Sequence, residues 1–133
     1  MKKSYFGLLM LAIVLFVSPA WKKSSGPTEA NLVVVTTPVN GSNNLNQLGP
    51  DFPLKIEITS TMPPSGVKIA VTASIDGTAN SSFYTASNTS TAPVNNYTIT
   101  NTPSSVTCVV NITVTSVSKP SNVWTGAYRY SKK

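Results

Sequence analysis

This sequence of 133 residues contains no histidine, one cysteine and only four acidic residues. The usual serine and cysteine hydrolases need a histidine base, and common zinc sites need several histidine or cysteine ligands. Both kinds of chemistry are therefore excluded, and we expect no catalytic residue, no metal ligand and no cofactor. The length suits one domain with a single core and leaves no room for a second substrate-binding lobe.

A pair of carboxylates is the one catalytic arrangement that this composition leaves open. Glu57 and Asp51 are close in sequence, but no second acid occupies a matching outward position. The sequence therefore favours a protein that is not an enzyme.

The net charge of +6 comes from the ends of the chain. Lys2 and Lys3 precede an apolar run, while Arg129, Lys132 and Lys133 lie near the C-terminus. Between residues 24 and 118, two lysines face four acids, so that stretch carries a net charge of −2. A protein that follows a phosphate backbone needs bases clustered on one folded face. The distribution therefore argues against a nucleic-acid partner.

The first twenty residues are typical of an export signal. Two lysines precede an apolar stretch of 13 residues, 5–17, and Ser18-Pro19-Ala20 forms a small-x-small cleavage site. The apolar stretch is shorter than the roughly 20 residues that span a bilayer. We expect cleavage after Ala20, with the mature chain beginning at Trp21. The alternative is an uncleaved anchor that uses residues 18–21 as extra length, which would be the chain's membrane contact.

The junction Ser18-Pro19-Ala20-Trp21-Lys22-Lys23-Ser24-Ser25-Gly26 resembles the start of bacterial lipoproteins, notably those of Bacteroidota. In those proteins a lipidated cysteine is followed by Lys and Ser residues. Here Trp21 occupies the cysteine position, and Ser18 stands where a large aliphatic residue is expected. Tryptophan cannot carry a thioether-linked lipid, so the resemblance implies an exported relative that is released or held non-covalently. Residues 21–30 form a flexible linker by composition.

From residue 31 the sequence predicts seven β-strands and no helix, because apolar and polar residues alternate between clusters of turn residues. The predicted strands are residues 31–37, 52–61, 67–76, 82–86, 96–101, 106–117 and 123–131. One face of each of the three strongest strands is apolar: Phe52, Leu54, Ile56 and Ile58; Val67, Ile69, Val71, Ala73 and Ile75; Val106, Cys108, Val110, Ile112 and Val114. Two such sheets bury their apolar faces against each other as a β-sandwich.

The stretch Tyr97-Thr-Ile99-Thr-Asn-Thr-Pro103-Ser-Ser-Val106-Thr-Cys108-Val-Val110 resembles the E-to-F corner of fibronectin type III and related bacterial immunoglobulin-like domains. In those families an aromatic-x-aliphatic strand leads through a Leu-Pro turn into a long alternating strand. Thr102 replaces the Leu, and Cys108 stands where an aromatic is usual. The resemblance implies a seven-stranded antiparallel sandwich over residues 31–133, of a kind used for adhesion, spacing and ligand presentation on cell surfaces.

Two residues that could carry chemistry have simpler interpretations. Cys108 is in phase with Val106 and Val110, so we expect a buried, unreactive thiol. The segment Asp76–Asn80 is similar to an oxygen-rich calcium loop, but one carboxylate is too few, and Asp76-Gly77 is a strong hairpin-turn pair.

Five Asn-x-Ser/Thr triplets, the acceptor pattern for N-glycosylation, begin at Asn40, Asn80, Asn88, Asn96 and Asn111. Because the signal looks bacterial, we expect them to remain unmodified.

Two surfaces could bind a partner. Trp124, Tyr128 and Tyr130 share a strand face, which predicts either a sugar-stacking row or, as we favour, part of the core. If the strand order follows the family's, loops 61–66, 87–94 and 118–122 cluster at one end and present partners, while loop 38–51 lies at the other end.

The sequence leaves three functions open. The first is a non-enzymatic module of the cell envelope or extracellular space, acting in adhesion, protein interaction or surface display. The second is a carbohydrate-binding module, and the third is a subunit that assembles through an incomplete sandwich edge. The expected partner is a protein or glycan at the cell surface, and the sequence names neither it nor the oligomeric state.

Overall fold

The computed structural model describes residues 28–78 and 80–133, which form eight β-strands and no helix. The strands are β1 (Val34–Thr37), β2 (Asn43–Gln47), β3 (Phe52–Ile58), β4 (Val67–Ile75), β5 (Ser82–Ser90), β6 (Val94–Ile99), β7 (Thr107–Ser116) and β8 (Val123–Lys132). The predicted signal peptide, residues 1–20, and most of the predicted linker lie outside the described residues. Over the described ranges, no helix is long and apolar enough to cross a bilayer.

The strands form two sheets, as predicted for an all-β protein. The three-stranded sheet has the order β1-β3-β6 and the five-stranded sheet the order β2-β8-β7-β4-β5. Each pair of neighbours is antiparallel except β2 and β8, which run parallel. Side chains from both sheets contribute to one hydrophobic core.

The prediction of seven antiparallel strands is wrong in the number of strands and in one pairing. The additional strand, β2, lies within residues 38–51, which were predicted to be a loop at the far end, and it runs beside β8 instead. Its sequence Asn-Asn-Leu-Asn-Gln shows no apolar alternation, because its side chains are largely exposed on both faces. Hydrogen bonds hold it in place: Arg129 N donates to Ser42 O at 2.9 Å, and Asn46 N donates to Ser131 Oγ at 2.8 Å.

The β5–β6 region also differs from the prediction. β5 continues to Ser90 and β6 begins at Val94, so the predicted loop 87–94 shrinks to residues 91–93. Residues 87–90 are Ser-Asn-Thr-Ser and lack apolar alternation, yet they pair in regular register with residues 67–70 of β4. Backbone pairing to a strong neighbour, not side-chain pattern, extends this strand.

The predicted core faces are buried almost completely. The buried apolar residues of the three strongest strands are Phe52, Leu54, Ile56 and Ile58 in β3, Val67, Ile69, Val71 and Ala73 in β4, and Cys108, Val110, Ile112 and Val114 in β7. Ile75 was predicted to point inward but is 36% exposed, whereas Ser74, predicted outward, is 3% exposed. Ile75 still pairs with the fully buried Cys108, so it keeps the inward register but lies at the exposed end of β4. Beside it, the pairing of β4 with β5 shifts register between Ala73 and Ser74.

Two isoleucines of β4 test this assignment of the core. Ile69→Ala should lower the free energy of unfolding by about 2–5 kcal/mol, because the side chain is fully buried and its removal leaves a cavity. Ile75→Ala, the matched control at the exposed end of the same strand, should cost less than about 1 kcal/mol. Chemical denaturation of both variants measures the difference, and equal losses would contradict the placement of Ile75.

Candidate functional site

Two of the loops that the sequence placed together, 61–66 and 118–122, lie at one end of the sandwich beside the short β5–β6 turn. Val117 N donates a hydrogen bond to Gly66 O at 3.1 Å, and Ile58 N donates to Pro93 O at 2.8 Å. Gly66 has φ +80°, and a β-carbon there would lie 2.5 Å from the carbonyl oxygen of Ser90. Glycine is therefore required for the close approach of these segments.

The chain's own N-terminal segment occupies part of this loop end. The Glu29 carboxylate accepts hydrogen bonds from Ser118 Oγ at 2.6 Å and from Asn122 Nδ2 at 2.7 Å. Asn122 also donates to Ala30 O at 2.9 Å and accepts from Leu32 N at 3.0 Å. The hydrogen bonds from Ser118 and Asn122 lower the pKa of Glu29. Loop 118–122 is thus fastened to residues 29–32, which reduces the surface it can offer to another molecule.

The aromatic residues of β8 lie in the core, as the sequence favoured. Tyr128 and Tyr130 are 3% and 2% exposed, so their ring faces are not available for stacking on a sugar. Trp124 is partly buried, and its indole lies over Gly126, where a β-carbon would come within 2.3 Å of the ring. The alternative of a sugar-stacking row is therefore not realised, since these residues form no open platform.

A buried contact that the sequence did not predict fixes the aromatic cluster. The hydroxyl of Tyr130 lies 2.6 Å from Thr102 Oγ1, and its ring centroid lies 4.9 Å from that of Phe52. Burial raises the pKa of Tyr130 to about 12. The available signal was Thr102 itself, which puts a hydroxyl where the resembling family has Leu. This bond joins the β6–β7 connection to the last strand.

A cleft of about 490 Å³ opens near the point where the chain crosses from β1 to β2. Both sheets contribute to its lining: Thr37, Pro38, Asn44, Gln47, Phe52, Pro53, Leu54, Lys55, Asn96, Tyr97, Thr98, Tyr128 and Tyr130. These residues include no acid and one base, Lys55, so the cleft holds no pair of carboxylates.

The residues considered for chemistry are engaged elsewhere or lie apart. Cys108 is fully buried, as predicted, and burial raises the pKa of its thiol. Arg129 Nε donates to Asp76 Oδ2 at 2.8 Å, and this bond lowers the pKa of Asp76. Asp51 precedes β3 and Glu57 lies near its end, about 20 Å apart along an extended strand.

No group of three or more potential metal ligands occurs among residues 28–78 and 80–133. Of the segment Asp76–Asn80, Ala79 is not described, and Asp76 and Gly77 form a turn, as the sequence predicted. Among the Asn-x-Ser/Thr triplets, Asn40 Oδ1 accepts from Ala127 N at 2.8 Å, and Asn88 Oδ1 accepts from the Tyr97 hydroxyl at 2.5 Å. Asn80, Asn96 and Asn111 are exposed.

The most unusual surface is the outer edge of β5, residues 82–90, which we call the β5 edge. β5 is the last strand of the five-stranded sheet and pairs only with β4 among the described strands. It contains no proline and no charged residue, and none of the 42 residues from Gly77 to Ser118 is charged. The uncharged run was visible in the sequence, but only the sheet order shows that it includes an open edge.

The other sheet edges carry features that discourage strand pairing. β1 has four residues, and β2 has five with a register shift between Asn44 and Gln47. β6 has six residues and follows Pro93. β5 has nine residues, and its only irregularity lies at one end, opposite Ala73 and Ser74. It is thus the longest and least protected edge in the described part of the chain.

Neither the known protein families nor the curated proteins include a match to this sequence. Function is therefore argued from the loop end, the cleft and the β5 edge. Of these, the loop end is partly covered by residues 29–32, and the cleft lacks paired acids, so the β5 edge is the surface best suited to a partner.

Two tyrosines of β8 test the role of the buried contact. Tyr130→Phe should lower the free energy of unfolding by about 1–3 kcal/mol, because it leaves the buried Thr102 hydroxyl without its partner. Tyr128→Phe removes a hydroxyl that bonds to no other described residue, so it should cost less than about 0.5 kcal/mol. Urea denaturation compares the two, and a Tyr128→Phe loss as large as that of Tyr130→Phe would contradict this assignment.

Proposed function

We propose that this chain is an exported, non-enzymatic β-sandwich module that works at the cell envelope or outside the cell by binding a protein. The β5 edge carries this proposal. An edge strand presents a row of unpaired backbone donors and acceptors, and soluble proteins usually blunt such edges with charges, proline or short length. A nine-residue edge without these features is suited to pairing with a strand of another protein.

The sheet order supports an immunoglobulin or fibronectin type III-like arrangement. In immunoglobulin sandwiches, strands C, F and G pair in that order, and strands A, B and E lie together in the opposite sheet. The order β4-β7-β8 and the separate sheet of β1, β3 and β6 correspond to this pattern if β1, β3, β4, β6, β7 and β8 are assigned to A, B, C, E, F and G. Such sandwiches serve many functions, so the fold supports the class of module and not its partner.

The positions of the acids support a role that is not enzymatic. The Glu29 carboxylate is hydrogen-bonded to Ser118 of the β7–β8 loop, and Asp76 forms an ion pair with Arg129. Glu57 Oε1 lies 4.0 Å from Lys55 Nζ. Acid pairs in glycosidases are about 5–9.5 Å apart, far less than the distance between Asp51 and Glu57. The carbohydrate alternative loses the aromatic row on which it depended, because Tyr128 and Tyr130 are buried.

Export is tested by expressing the full chain in a bacterial host with two membranes. We expect the chain outside the cytoplasm, with an intact mass that begins at Trp21, because residues 1–20 have the charge, apolar length and cleavage residues of a signal. Leu11→Arg places a charge in the apolar stretch and should hold the chain in the cytoplasm. A wild-type chain found in the cytoplasm with residues 1–20 attached would overturn the proposal.

Binding through the β5 edge is tested by placing a photo-crosslinking amino acid at Thr85 in cells that express the chain. Thr85 is exposed in β5, and the control position Thr125 is also exposed but lies on β8, three strands from β5, where it pairs with Thr113 of β7. We expect a protein adduct at Thr85 and none at Thr125, resolved by mass spectrometry. No adduct at either position, or equal yields at both, would show that the edge binds no protein.

A further inference from the structure

We propose that the β5 edge binds a second copy of the same chain, antiparallel and about a two-fold axis at Ser87. This inference rests on the proposed function, because it names the partner of the same edge. It joins the two five-stranded sheets into one continuous sheet of ten strands.

The geometry of β5 selects this register. Its pairing with β4 is regular from Tyr84 to Ser90, and the register shift opposite Ala73 and Ser74 interrupts the edge at Phe83. The regular part has seven residues and is centred on Ser87. Antiparallel pairing of this part with a second copy places Ser87 opposite Ser87 and Thr85 opposite Thr89, which matches every regular residue with a partner.

The side chains at this edge suit contact between identical copies. Thr85, Ser87 and Thr89 are exposed and lie on the outer face of the sheet, where they carry small hydroxyls. Threonine pairs and serine–threonine pairs across antiparallel strands are favourable. Since no charge lies in the edge, the pairing buries no charged group and brings no like charges directly together.

The placement of charges leaves little repulsion between two copies that pair at the β5 edge. Lys68, the nearest charge on the outer face, is level with Thr89 one strand inward. In the proposed register two copies of Lys68 lie more than about 14 Å apart, beyond the Debye length of about 8 Å at physiological ionic strength. Arg129 and Lys132 lie on β8, three strands from the edge, so their copies are farther apart still.

The alternative partner is a strand of a different protein. The β5 edge itself offers no charge to a charged strand, and the nearest charge, Lys68, lies one strand inward, so charge complementarity favours an uncharged strand. β5 itself is such a strand, with matched length and a complementary row of backbone groups. These features favour the second copy.

Because the two-fold axis places Ser87 opposite Ser87, two oppositely charged variants at this position should weaken dimerisation separately and restore it when mixed. Ser87→Lys puts two lysines opposite each other, and Ser87→Glu does the same with two glutamates, so each variant alone should dimerise about 2- to 5-fold more weakly than wild type. An equimolar mixture of the two should recover dimers that contain one copy of each. Thr125→Lys and Thr125→Glu, on the outer face of β8, should change dimerisation little. Sedimentation equilibrium of the mature chain measures each constant.

The rescue separates this proposal from a folding defect, because two misfolded variants would not restore each other. A wild-type chain that stays monomeric at every concentration, or a mixture no more dimeric than the single variants, would overturn the proposal.

A disulfide tests the register. In antiparallel pairs directly opposed Cα atoms are about 4.5–5.5 Å apart, within the about 4.4–6.8 Å that a disulfide spans. Ser87→Cys should therefore form a covalent dimer on mild oxidation at least about tenfold faster than Thr125→Cys, while the buried Cys108 contributes none. Equal rates for the two variants would overturn the two-fold pairing at Ser87.

The crosslinking at Thr85 distinguishes this inference from the proposed function. An adduct between two copies of the chain supports both the proposed function and the inference that the partner is a second copy. An adduct with a different protein overturns the inference but leaves the proposed function standing. The absence of an adduct overturns both.

Discussion

The structure depends on one interface: the apolar faces of two sheets that exclude water from each other without any covalent link. The chain has a single cysteine, which is buried, so no internal disulfide can join the sheets. The free energy of folding must come from burying alternate side chains of β3, β4 and β7, together with Tyr128 and Tyr130 of β8. Because these strands supply the buried apolar surface, strands such as β2 and β5 can consist mainly of polar residues.

This division explains how much of the fold could be predicted from the sequence. The central strands were predicted correctly, because a buried face imposes a period of two on apolar residues. β2 and the second half of β5 were missed, since a strand exposed on both faces is selected by its backbone partner and leaves no such period. The parallel pairing of β2 with β8 could not be predicted, because register between distant segments depends on how the chain crosses between sheets.

The candidate site could be predicted less well than the core. Burial of Cys108 followed from its phase with neighbouring valines, and that prediction is confirmed. The bond between Thr102 and Tyr130 joins residues 28 apart in sequence, and the contact of Glu29 with Ser118 joins residues 89 apart. Neither contact has a local pattern, so both depend on the completed fold. The uncharged run from Gly77 to Ser118 was available from the start, but its meaning depends on which of its strands lies at an edge.

The edges of the two sheets differ in how strongly their features discourage pairing with another strand. Three edges carry features that discourage pairing: β1 is short, β2 has an interrupted register, and β6 follows a proline. β5 lies between β4 and solvent, and its polar side chains keep it soluble without blocking its backbone. Serine and threonine can do both, because their hydroxyls interact with water when the edge is free and with each other when a strand pairs there. An edge of this composition tolerates both the free and the paired state, which is the physical requirement for association that can be reversed.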